Sequence, residues 1–69
     1  MIKVGTWVII RYDPHSHTPN EIAKRYDGSE SVVTRVKNYG ARGTYYELEG
    51  IVSQMGVPYS FVESDLVEV

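Results

Sequence analysis

Sixty-nine residues at 7.8 kDa make a single small domain, residues 1–69, whose folding hides only about 60% of the surface the unfolded chain exposes. There is no cysteine, which excludes a disulfide framework and a thiolate zinc site, and the hydrophobic share of 42% with a charged share of 23% fits an ordinary folded domain. A net charge of -2 is not the basic balance of a general nucleic-acid binder.

Met1 to Gly5 lacks the apolar run and cleavage site of a secretory signal, and no stretch approaches the ~20 apolar residues of a membrane span, so a cytoplasmic protein without membrane contact is expected. Thr6 to Arg11, rich in β-branched and aromatic residues and closed by Asp13-Pro14, reads as a first strand buried on much of both faces. Asp13 to Gly28 is too polar for a core strand and too long for a turn. Inside this long first loop Thr18-Pro19-Asn20-Glu21 matches a capping box, which predicts a short helix from about Pro19 to Tyr26 with Ile22 and Tyr26 on one face.

From Ser31 to Lys37 the chain alternates, with Val32, Thr34 and Val36 on one side and Val33, Arg35 and Lys37 on the other. Thr44 to Glu49 alternates likewise, with Tyr46 and Leu48 on the apolar side. The glycines of Asn38-Tyr39-Gly40-Ala41-Arg42-Gly43 between them predict an antiparallel hairpin. Pairing Val36 with Tyr46 then places Arg35 opposite Glu47 and Lys37 opposite Tyr45, a self-neutralising outer face. Ile51 to Met55 is a weaker strand, Phe61-Val62 an apolar return, Glu63-Ser64-Asp65 a single turn and Leu66 to Val69 a terminal strand. Charge divides along the chain: all seven bases lie before Tyr45 and leave that part at about +3, while five acids and no base follow, at -5.

This order of features resembles an SH3-like barrel: a Gly-led apolar strand from Val4 to Val8, a long loop, a central hairpin, and Gly56-Val57-Pro58-Tyr59-Ser60-Phe61-Val62 before a turn and a last strand. The resemblance implies an all-β fold, a small five-stranded SH3-like barrel whose long first loop holds the short helix. The paired tryptophans of a proline-peptide groove are absent, so no such site is carried over. The run Tyr45-Tyr46-Glu47-Leu48-Glu49-Gly50, with Gly56 to Phe61 and Asp65-Leu66, is similar to small uncharacterised proteins of bacteriophages and prophages in Gram-positive bacteria. That likeness covers about half the chain and implies a setting without an activity.

No nucleophile elbow, phosphate loop or dinucleotide fingerprint is present, so a non-enzymatic protein without a cofactor is expected. His15 and His17 flank Ser16 behind Asp13, but this spacing matches no established zinc pattern, and a solvated loop is the expectation. Tyr46, Phe61 and Trp7 are assigned to the core. Tyr12, Tyr39, Tyr45 and Tyr59 are the candidate protein-binding residues, because tyrosine offers large contact area with a polar tip. The expected activity is protein interaction through the long loop and these tyrosines, with a protein partner or a second copy forming a homodimer. The alternative is nucleic-acid binding through Arg35, Lys37, Arg42 and Tyr39 on the hairpin.

Overall fold

The computed structural model of the chain describes residues 2–16 and 20–69. Strand β1 (Trp7–Ile10) is followed by helix α1 (Glu21–Arg25), strand β2 (Glu30–Asn38), a 3-10 turn (Gly40–Arg42), strand β3 (Thr44–Leu48), a second 3-10 turn (Glu63–Asp65) and strand β4 (Leu66–Glu68). The strands form one open antiparallel sheet in the order β3-β2-β1-β4. The fold is therefore all-β with little helix.

The hairpin has the register expected from alternation: Arg35 lies opposite Glu47, Val36 opposite Tyr46 and Lys37 opposite Tyr45. At its tip Tyr39 N–H donates to the Gly43 carbonyl at 3.0 Å, and Gly40 and Gly43 take φ of 64° and 97°, which side chains disfavour. Alternation does not run through the whole of β2. A bulge at Thr34 sets Val33 opposite Leu48 and Arg35 opposite Glu47. Before it Ser31 and Val33 face the core, whereas after it Val36 takes over that side. The expected grouping of Val32, Thr34 and Val36 on one face is thus corrected, because one inserted residue exchanges the faces of a strand.

Tyr46, Phe61, Val8, Ile10, Val33 and Leu48 are fully buried or nearly so and form the centre of the core. Trp7 does not join them. It is 57% exposed, since Val8 and Ile10 occupy the covered face of β1 and turn Trp7 and Ile9 to the other. Strand β1 is therefore buried on one face, not on much of both.

Helix α1 begins at Glu21, later than expected, with Asn20 as its cap: Asn20 Oδ1 accepts from the N–H groups of Ile22 at 2.9 Å and Ala23 at 3.4 Å. The Thr18 and Pro19 positions of the expected capping box lie outside the described residues. Ala23 is buried, and Ile22 and Tyr26 pack against the core from one face of the helix. The segment from Ile51 to Met55 is not a strand. Val52 makes a single bridge to Pro58, and the Ser53 hydroxyl accepts from Met55 and Val57 N–H, each at 3.2 Å, so a tight turn takes its place. Phe61 bridges Tyr46 through 2.8 Å bonds in both directions.

Candidate functional site

Past the end of β1, Arg11 N–H donates to the Asp65 carbonyl at 2.7 Å, and Gly28 N–H donates to the Ile10 carbonyl at 2.7 Å. The long loop is thereby anchored at one end on the 3-10 turn before β4 and at the other on β1. Tyr12 N–H donates to Asp27 Oδ1 at 3.0 Å, which ties the outgoing limb to the returning one. Asp13 Oδ1 accepts from His15 N–H at 2.9 Å and the Asp13 carbonyl accepts from Ser16 N–H at 3.3 Å, a turn of the kind Asp-Pro favours. The Lys24 ammonium of α1 sits 5.7 Å from the centre of the Tyr12 ring, within cation–π reach.

Together Arg11, Tyr12, Asp13, Pro14 and His15 wall one side of a pocket of about 490 Å³ that Ser64 and Val67 close from the C-terminal turn and strand. It combines a guanidinium, a phenol, an imidazole and a carboxylate with a short apolar floor, which suits recognition of a mixed polar and apolar group. Asp65, the chain neighbour of Ser64, is tied to Arg11 by its carbonyl and so fixes the backbone on both sides of the pocket. This carboxylate is only 4% exposed, and its Oδ2 accepts from Val62 N–H and from Asn20 Nδ2, each at 3.2 Å. One buried acid thus joins the helix cap, the 3-10 turn and, through its carbonyl, the start of the loop. Sequence reasoning assigns no site role to Asn20, Ser64, Asp65 or Val67; the capping box at Thr18 to Glu21, the Glu63-Ser64-Asp65 turn and the strand from Leu66 to Val69 are the local signals that include them.

The candidate tyrosines are not brought together. Tyr12 lies beside the start of β2, while Tyr39 and Tyr45 stack at its far end, 5.7 Å between ring centres and tilted by 53°. A nine-residue strand separates them by up to roughly 27 Å. Tyr39 is 54% exposed, and Tyr45 OH donates to the Arg42 carbonyl at 3.1 Å. Tyr59 packs against the core. Of the candidate bases, Arg35 and Arg42 are exposed, but Lys37 is engaged: its ammonium lies 2.9 Å from Glu47 Oε2 and donates to Ser60 Oγ at 2.8 Å. The neutralising contact on this face therefore runs diagonally from Lys37, whose ammonium Glu47 and Ser60 share, and not straight across from Arg35.

The Tyr46 phenol holds its proton more tightly than a free tyrosine does. Burial raises its pKa, the Ile2 N–H donated to its oxygen at 3.4 Å works against this, and the Glu63 carboxylate that accepts its proton at 3.1 Å raises it further. Among the described residues no group of three or more His, Cys, Asp or Glu side chains converges on a metal position, and His17 lies outside them. Likewise no buried side-chain polar atom among them is left without a partner. No helix of the described residues is long and apolar enough to cross a membrane. No family model, curated protein or solved structure matches this chain.

Proposed function

We propose that the protein is a non-enzymatic protein-interaction module, an accessory factor that binds its partner through the long-loop pocket around Tyr12. The observation that carries this reading is the pocket itself, the place where an exposed polar loop, an aromatic ring and apolar surface meet on anchored backbone. The expected SH3-like barrel belongs to the same proposal. It is supported by the bridge between Phe61 and Tyr46 and by the turn at Glu63–Asp65, which carries the chain from beside β3 to β4, so that Phe61 supplies a short fifth strand. Tyr39 and Tyr45 form a second aromatic contact at the hairpin tip. Nucleic-acid binding there has less support, because Lys37 is held by Glu47 and Ser60, leaving Arg35 and Arg42 as the available cations.

The test selects peptides from a random library displayed on yeast against the immobilised protein and maps them by NMR shift changes. Selected peptides are expected to move resonances of Arg11 to His15 and Ser64, and Tyr12→Ala is expected to weaken them at least tenfold. Shifts confined to the hairpin from Asn38 to Tyr45, or full affinity in Tyr12→Ala, would overturn this reading.

A further inference from the structure

The outer face of the three-stranded part of the sheet adjoins the pocket, sharing Arg11 and Val67 with it, and its pattern is self-complementary. Alternation and register lay it out as a small grid. Val69, whose N–H donates to the Trp7 carbonyl at 3.0 Å, stands beside Trp7, and Trp7 stands opposite Val32. In the next row Val67, Ile9 and Glu30 lie side by side across β4, β1 and β2. Arg11 follows Ile9 on the same side of the chain. Trp7, Val67 and Val69 are 57%, 38% and 72% exposed, an apolar stretch that no element of the described chain covers. Glu30 and Arg11 flank it, and among the described residues neither side chain has an ion-pair or hydrogen-bond partner.

We infer that this face binds a second copy of the chain, sheet on sheet, about a two-fold axis that passes over Ile9 and runs diagonally between the strand direction and the pairing direction. Such an axis exchanges rows with columns of the grid. Ile9 meets Ile9 of the second copy and Val69 meets Val69, each once on the axis, while Trp7 covers Val67 and Arg11 comes against Glu30, each of these contacts occurring twice. The two sheets cross at nearly a right angle, one of the two ways in which sheets pack. Charge decides between this occupant and others: the flanking pair is one acid and one base placed symmetrically about the diagonal, so each finds its opposite on an identical face. Three strands about 4.8 Å apart and about five residues at 3.3 Å give a footprint of roughly 14 by 17 Å. This is well below the ~800 Å² per partner of a standard interface, so the dimer is weak and reversible, with a dissociation constant on the order of 10 μM or above. The inference goes beyond the pocket reading and does not rest on it: Tyr12→Ala removes a pocket residue outside the grid, whereas Val69→Lys changes the grid at a residue outside the pocket, so the failure of either reading is read separately.

Trp7 is the sole tryptophan and reports on the contact directly. Sedimentation equilibrium from about 1 μM to about 1 mM is expected to show a monomer–dimer equilibrium, with Trp7 emission moving to the blue over the same range. Arg11→Glu alone and Glu30→Arg alone are each expected to weaken the dimer at least tenfold, and the double exchange R11E/E30R is expected to restore it to within about threefold. Val69→Lys, at an exposed position outside the core, serves as a variant whose folding is not in question, and it is expected to abolish the dimer. A strict monomer at about 1 mM, a dimer insensitive to Val69→Lys, or single exchanges that fold normally and leave the affinity unchanged would each overturn the inference.

Discussion

Replacing Asp65 by alanine tests how the candidate pocket is held. The carboxylate is buried, and its Oδ2 alone accepts two hydrogen bonds, from Val62 N–H and Asn20 Nδ2, each at 3.2 Å. A bond to a charged acceptor contributes about 1.5–3 kcal/mol, so two would contribute about 3–6 kcal/mol if both donors were then stranded. Val62 is partly exposed, so water takes over some of its loss, and removing a buried charge returns its desolvation penalty. The net expectation for Asp65→Ala is about 3 kcal/mol, a large share of the stability of a domain this small. At about 4–8 °C per kcal/mol this lowers the melting temperature by roughly 12–24 °C. Asp65→Asn retains an oxygen at the same place and is expected to cost about 1 kcal/mol. Urea denaturation followed by Trp7 fluorescence and by far-ultraviolet circular dichroism measures both variants. A double-mutant cycle with Asn20→Ala is expected to give a coupling of about 1 kcal/mol, because the two side chains share one bond. A loss below about 1 kcal/mol for Asp65→Ala, or strict additivity with Asn20→Ala, would refute the role assigned to this carboxylate.

Two further expectations follow from the buried and half-buried polar groups. Tyr46 binds its proton more tightly when folded than when unfolded, so the stability it contributes is complete below the unfolded value of about 10 and is lost as pH rises from there through the folded value. Chemical denaturation between pH 9 and 12 is expected to show a steeper alkaline loss for the parent than for Tyr46→Phe, and equal slopes would count against it. In the hairpin, a double-mutant cycle between Lys37→Met and Glu47→Gln is expected to give a coupling of about 0.5–1 kcal/mol, with Arg35→Ala coupled to Glu47→Gln by less than about 0.3 kcal/mol. The reverse order would show that the ion pair runs straight across the strands.

The elements most legible in the sequence are those whose signals are local. The hairpin register follows from the apolar alternation of Tyr46 and Leu48 against that of Val36, and its tip follows from two glycines whose positive φ the tight turn requires. The Glu63–Asp65 turn and the last strand are read in the same way, and burial of Tyr46 and Phe61 follows from their place among apolar neighbours. The candidate site was less legible. Tyr12 was named, but its pocket depends on Ser64 and Val67, about fifty residues further along the chain, and no local pattern links them.

Composition and periodicity by themselves determined the all-β class, the register of the hairpin and the division of charge along the chain, because each rests on neighbours within a few residues. Tertiary structure alone decided which face of β1 is covered, and so whether Trp7 is core or surface, since that depends on where elements distant in sequence come to rest. It also decided that Thr34 forms a bulge, that the Asn20 cap of the helix donates to Asp65 of the turn forty-five residues away, and that Lys37 and not Arg35 meets Glu47. These outcomes share one physical reason: a buried polar group or an inserted strand residue is tolerated only where the rest of the fold supplies its partner.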